Sequence, residues 1–123
     1  MKTHESAENY LETILVLQQR NGSVRAIDIA NELNFSKPSV SIALKNLREK
    51  EHVSVDASGN ITLLPSGLEI AERIYERHRL LTNWLTALGV DPAIAAEDAC
   101  RMEHVISEAS FSAIKQHAEI RLL

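Results

Sequence analysis

The sequence predicts a mainly α fold with a small β-wing: a winged helix-turn-helix followed by a purely helical region. Three observations predict it. Two short amphipathic segments are separated by a turn at Asn34-Phe35, two β-like runs follow them directly, and the second half reads as all helical.

Residues 6–20 form the first expected helix. Ala7, Leu11, Ile14, Leu15 and Gln18 fall on one stripe, Ser6 is the candidate N-cap, and Asn21-Gly22 ends it. A short helix over 26–33 turns Ile29, Ala30 and Leu33 inward. Ser36 then caps a helix over 37–50 with Pro38 in its first turn. Val40, Ala43, Leu44 and Leu47 point one way on this helix, and Lys37, Ser41, Lys45 and Arg48 the other. The runs His52–Asp56 and Asn60–Leu64 are joined by Ala57-Ser58-Gly59, with Gly59-Asn60 supplying hairpin-turn chemistry.

A long helix is expected from Pro65 or Ser66 to about Leu88, closed by Gly89. Asp91-Pro92 opens another as N-cap and first-turn proline, running to His104 or Ile106, and Ser107 caps a last one over 108–122. The expected division is 1–64 for the winged domain and 65–123 for the second.

The 123 residues are 45% apolar, enough to bury a core, and few are aromatic, which suggests aliphatic helix packing. One cysteine excludes an intramolecular disulfide. With no secretory signal and no apolar run of membrane-spanning length, a soluble cytoplasmic protein is expected, without a membrane partner. The net charge of −4 does not favour nucleic acid, yet residues 36–50 carry Lys37, Lys45, Arg48 and Lys50 against Glu49 alone. Basic charge thus gathers on the second helix of the helix-turn-helix.

That helix is the one such a motif lays in the major groove, its N-terminal residues toward the base edges. Ser36, Lys37, Pro38, Ser39 and Ser41 occupy that end: hydroxyls suit base edges or phosphates, and proline suits a thymine methyl. Lys45 and Arg48, with Arg25 at the start of the preceding helix, are placed for phosphate. One short helix reads few base pairs, so specific binding calls for a dimer. The alternative is a small helical core with an exposed polar helix, or a winged domain that binds protein.

The stretch "DACRMEHVISE" sets Cys100, Glu103 and His104 at i, i+3 and i+4, on the flank of the stripe Ala95, Ala99, Met102, Ile106 and Ala109. Partial burial is expected for all three. His78 interrupts the apolar stripe Ile74, Leu81 and Leu85 of the preceding helix, and the first helix offers the oxygen donors Glu8, Asn9 and Glu12. Three explanations compete. Thiolate, carboxylate and imidazole make a transition-metal site. Cys100 and a histidine make a nucleophile and base, against which stand the absence of a clear oxyanion device and a chain too small and helical for a deep substrate pocket. Or the residues simply edge a core, with His78 bonded to a carbonyl and Cys100 packed as a small apolar group.

"ENYLETI", "FSKPSVSIALKNL", "LLPSGLEIAERIYERHRLL" and above all "DACRMEHVIS" resemble the diphtheria-toxin-repressor family of iron- and manganese-dependent transcriptional repressors, over essentially the whole chain. The resemblance implies a homodimer with a winged domain per subunit and a helical dimerisation domain. Divalent metal serves as corepressor for binding double-stranded operator DNA, and neither an enzyme activity nor a small organic substrate is expected. Cys100, Glu103 and His104 match primary-site ligands, and His78 matches a ligand whose site differs between branches. Glu12 matches a ligand of the manganese branch, and Asn9 stands where the family has methionine or aspartate.

Cysteine at position 100 looks like the iron-responsive branch. Thr82 and Ala96, however, replace a glutamate and a histidine of that branch's ancillary site, and a short form without the C-terminal SH3-like domain is expected. A thiolate with imidazole and carboxylate suits Fe(II), Zn(II), Co(II) or Ni(II) better than Mn(II), and Fe(II) is favoured. The alternatives are a manganese-responsive member, or a winged-helix regulator with a vestigial site or a different signal.

Overall fold

The structure is a computed structural model that describes the backbone of residues 2–122 and the side chains of residues 7–119. The element order is α1 (Lys2–Asn21), α2 (Ala26–Leu33), α3 (Lys37–Glu49), β1 (Val53–Val55), β2 (Ile61–Leu63), α4 (Pro65–Ala87), α5 (Pro92–Val105) and α6 (Glu108–Leu122). This is the mainly helical winged fold that the sequence predicts. The chain divides into two compact units, Met1–Glu72 and Arg73–Leu123, so the division falls inside α4.

In the first unit α1 packs against α2, α3 and β2, and α3 against β1. Leu11, Ile14, Val24, Ile29, Val40, Leu47, Val53 and Ile61 are among its deeply buried apolar residues. Helix α2 ends on Asn34, whose left-handed backbone (φ 56°) suits asparagine and lets the chain turn tightly into α3. Ser36 caps α3 by accepting from Ser39 N–H at 3.3 Å, with proline in the first turn. The strands pair antiparallel, Val53 with Leu63 and Val55 with Ile61. Between them Gly59 takes a positive φ of 87°, and the Asp56 carboxylate accepts from the N–H groups of Ser58 and Asn60, both at 2.9 Å. These bonds, led by the one from Asn60, hold the Asp56 carboxyl below the usual carboxylate range.

In the second unit Leu81 of α4, Ala99 of α5 and Phe111 of α6 form the core, with Leu80, Trp84, Met102, Ile106 and Ile114 packed on it. Gly89 turns α4 back at φ 103°, and Val90 N–H donates to Leu85 O at 3.0 Å. The Asp91 side chain caps α5 through Ala93 N–H. Ser107 caps α6 through Ser110 N–H.

Some expectations give way. Helix α1 begins at Lys2, so Ser6 lies within it instead of capping it, and its side chain lies outside the described ones. Gln18 is exposed, whereas Tyr10 and Leu17 are buried beside Leu11, Ile14 and Leu15. Helix α1 is so enclosed that Glu8, Glu12 and Thr13 are buried too. The strands are shorter than expected by the residues that enter and leave the hairpin. Ala109 is exposed: the break at Ile106-Ser107 puts it on α6, out of register with the α5 stripe.

Candidate metal centre and nucleic-acid face

Every fourth residue of α5 lines up roughly, because about 3.6 residues make a turn. Ala95, Ala99 and Glu103 therefore form one row, and all three are 0% exposed. A glutamate has taken the position of a core residue. Its Oε2 lies 2.9 Å from His78 Nδ1 on α4. A carboxylate only accepts, so His78 Nδ1 donates to it, which fixes the orientation of the ring.

The other oxygen, Oε1, lies 3.4 Å from His104 Nε2. That approach lacks hydrogen-bond geometry, and Oε1 has no hydrogen-bond partner among the described residues. The His104 side chain is only 8% exposed and that of His78 29%. A buried carboxylate oxygen with no donor is costly, and a cation relieves the cost. The His104 imidazole and the unsatisfied carboxylate oxygen beside it are hence donors that fit a divalent transition metal, while His78 stands on the other oxygen of Glu103.

Cys100 departs from expectation: it is exposed rather than partly buried. It follows Ala99 by one residue and so sits about 100° round the helix from the buried row. Glu103, expected on the flank with it, instead continues the buried row. On α1, Glu12 is buried and Asn9 half-buried. Thr82 and Ala96 bring neither carboxylate nor imidazole.

Sequence reasoning missed Arg77, beside His78 on α4. Its guanidinium is buried: Nη1 donates to the carbonyls of Glu103 (3.2 Å) and Ile106 (3.0 Å), and Nη2 to Glu108 Oε2 (2.9 Å). The group also stands 5.2 Å over the Phe111 ring. The available signal was spacing, since Arg77 follows Ile74 by three residues and precedes Leu81 by four, on the apolar stripe.

On the first unit, Lys37, Pro38, Ser39, Ser41, Lys45 and Arg48 are all exposed along α3, with Ser36 exposed at its cap. The Ser36 hydroxyl donates to the Ser39 hydroxyl at 2.9 Å, which fixes both at the helix tip. Arg25 is exposed at the start of α2, and its Nε donates to Asn60 Oδ1 at 3.4 Å, joining α2 to the wing. Ile42, 63% exposed in the middle of α3, was not among the expected contact residues.

Two family models decide the relationship. Residues 2–59 match the N-terminal DNA-binding domain of the iron-dependent repressors, and residues 64–119 their metal-binding and dimerisation domain. The chain belongs to the iron-dependent repressor family. This family consists of metal-dependent transcriptional regulators, and two curated relatives show how near they lie. The transcriptional regulator MntR of Salmonella typhimurium is 35% identical over 109 residues, covering 89% of this chain and 69% of the relative. MntR of Listeria monocytogenes is 34% identical over 102 residues, 83% and 72% of the two chains. Among solved structures, a manganese-dependent transcriptional repressor complexed with manganese superposes with a TM-score of 0.83 at 26% identity, covering 92% of this chain and 52% of that one. IdeR of T. acidophilum gives 0.77 at 27% identity, over 94% and 53%. This chain thus spans about half the length of these two solved structures.

Proposed function

We propose that this chain is a metal-responsive transcriptional repressor that binds operator DNA as a homodimer in the cytoplasm and catalyses no reaction. A divalent ion is held by Glu103, His104 and His78 together with Glu12 of α1, with Cys100 and Asn9 as further donors. The carrying observation is the fully buried Glu103 carboxylate, one oxygen on His78 and the other without a hydrogen bond among the described residues. The ion would supply the positive charge that this carboxylate lacks. Donors drawn from α1 as well as from α4 and α5 make occupancy of the centre depend on the arrangement of the DNA-binding half. The arrangement in which all donors meet gains population when the metal is present. Ser36, Lys37, Pro38, Ser39 and Ser41 then face the bases, with Lys45, Arg48 and Arg25 at phosphates.

Cys100 supports Fe(II), since a thiolate favours it over Mn(II). A second reading, Mn(II), is supported by the relatives named MntR and by the exposure of Cys100, which leaves nitrogen and oxygen as the buried donors. Anaerobic Co(II) titration separates the two. A thiolate-to-cobalt charge-transfer band is expected if Cys100 is a ligand, and bound cobalt without that band favours the oxygen- and nitrogen-ligated centre.

The function itself is tested by selecting duplexes from a randomised DNA library with Fe(II), with Mn(II) and with chelator. A recurrent two-fold sequence recovered only with metal is the expected result. The same sequence recovered equally with chelator would show a winged-helix regulator with a vestigial centre or another signal.

A further inference from the structure

We infer that Arg77 is a positioning residue for the metal centre, the group that holds the end of α5 in the geometry the ion requires; this rests on the metal-binding reading above. Two successive residues of α4 grip Glu103 from different sides. His78 holds its side chain through Oε2, and Arg77 holds its main chain through the carbonyl oxygen at 3.2 Å. The same Nη1 takes the carbonyl of Ile106, the residue on which α5 ends, so the cation sits at the negative end of that helix. Nη2 reaches across to Glu108 in the first turn of α6. One guanidinium thereby fixes the last turn of α5, which carries both Glu103 and His104, to the elements on either side. The fork is buried, with 9% of its side chain exposed, and is packed on Phe111. A lysine retains the charge but has no planar fork to bind two carbonyls and a carboxylate at once.

The test uses the full chain, reduced and metal-free, titrated anaerobically with Co(II). Arg77→Lys should weaken cobalt affinity by about 10–100-fold, the usual effect of removing a group that orients ligands. It should also alter the d–d spectrum at saturation, and amide exchange at residues 103–108 should quicken in the metal-free protein. Ile114→Ala, a cavity in the same core, is the control: it lowers the melting temperature but leaves the saturated spectrum unchanged. Wild-type affinity and spectrum in Arg77→Lys would overturn the inference. Should that variant not fold, Glu108→Gln decides, because Glu108 is largely exposed and only the Nη2 bond is weakened. A loss of about threefold or more in affinity supports the inference, and no loss overturns it. Failure of the wild-type chain to bind cobalt would remove the metal-binding reading and this inference together. Tight wild-type binding matched by Arg77→Lys would remove this inference alone.

Discussion

At the scale of single residues, what distinguishes this chain is a carboxylate placed where an aliphatic side chain would pack. Glu103 continues the row of Ala95 and Ala99, and its Oε1 makes no hydrogen bond among the described residues. Without metal this arrangement costs stability, because an unsatisfied buried acceptor forfeits its hydration. Glu103→Gln should therefore raise the melting temperature of the metal-free protein by a few degrees, equivalent to about 1 kcal/mol, while abolishing the rise that Co(II) produces in the wild type. Thermal melts followed by circular dichroism, with and without Co(II), check both halves. Equal cobalt-induced rises in the two proteins would show that Glu103 is not a ligand. The candidate donors were legible in the sequence, since histidine, glutamate and cysteine are rare on an apolar helix stripe. Their burial was legible only in part: His104 is partly buried as expected, but Cys100 is exposed and Glu103 fully buried. One position of offset separates the exposed Cys100 from the buried row, and only the packing of α4 and α6 decides which side of α5 faces inward. Arg77 escaped for the same reason: arginines usually lie at the surface, and the carbonyls that enclose this one come from residues 26 to 29 positions away.

Among the elements, those with strong end signals were the easiest to read. Ser36 with Pro38 opens α3, and Asp91 with Pro92 opens α5, because in each case a side chain satisfies an orphan N–H next to a residue that cannot continue a helix backwards. The start of α1 had no such signal, and its first turns were missed. The junction of wing and α4 shows a constraint of another kind. A Cβ on Gly67 would collide with the carbonyl oxygen and carbon of His52, so the first turn of α4 passes directly against the chain entering β1. The His52 ring and the Ser66 hydroxyl are in hydrogen-bond contact at 2.8 Å there. Gly67→Ala should destabilise the protein by roughly 1–3 kcal/mol through forced backbone displacement, read as a lower urea midpoint at an unchanged slope. A midpoint equal to wild type would mean that the junction has room to spare.

On the scale of the whole molecule, the two family matches divide the chain into a part that meets DNA and a part that meets metal, and the proposed function joins them. Exposed groups of α3 and buried groups of α4 and α5 should then respond separately to mutation. Ser39→Ala combined with Lys45→Ala should lower DNA affinity by about 10-fold or more, through one lost base-edge contact and one lost phosphate contact, and leave Co(II) affinity unchanged. Cobalt titration and fluorescence anisotropy on the same preparation check this, and parallel losses of both affinities would indicate misfolding instead. The proposed function requires coupling between the parts, which no single helix reveals. The sequence exposes the donors and the recognition helix one at a time, whereas the proposed coupling needs donors far apart in the sequence to serve one ion.

The most direct measurement is the affinity of the wild-type chain and of Glu103→Gln for a metal-selected duplex, by fluorescence anisotropy with metal and with chelator. The wild type should bind at least about 10-fold more tightly with metal, a coupling free energy of about 1.4 kcal/mol, and Glu103→Gln should bind at the weaker level in both conditions. Metal-independent wild-type affinity, or full metal activation in the Glu103→Gln protein, would contradict the account.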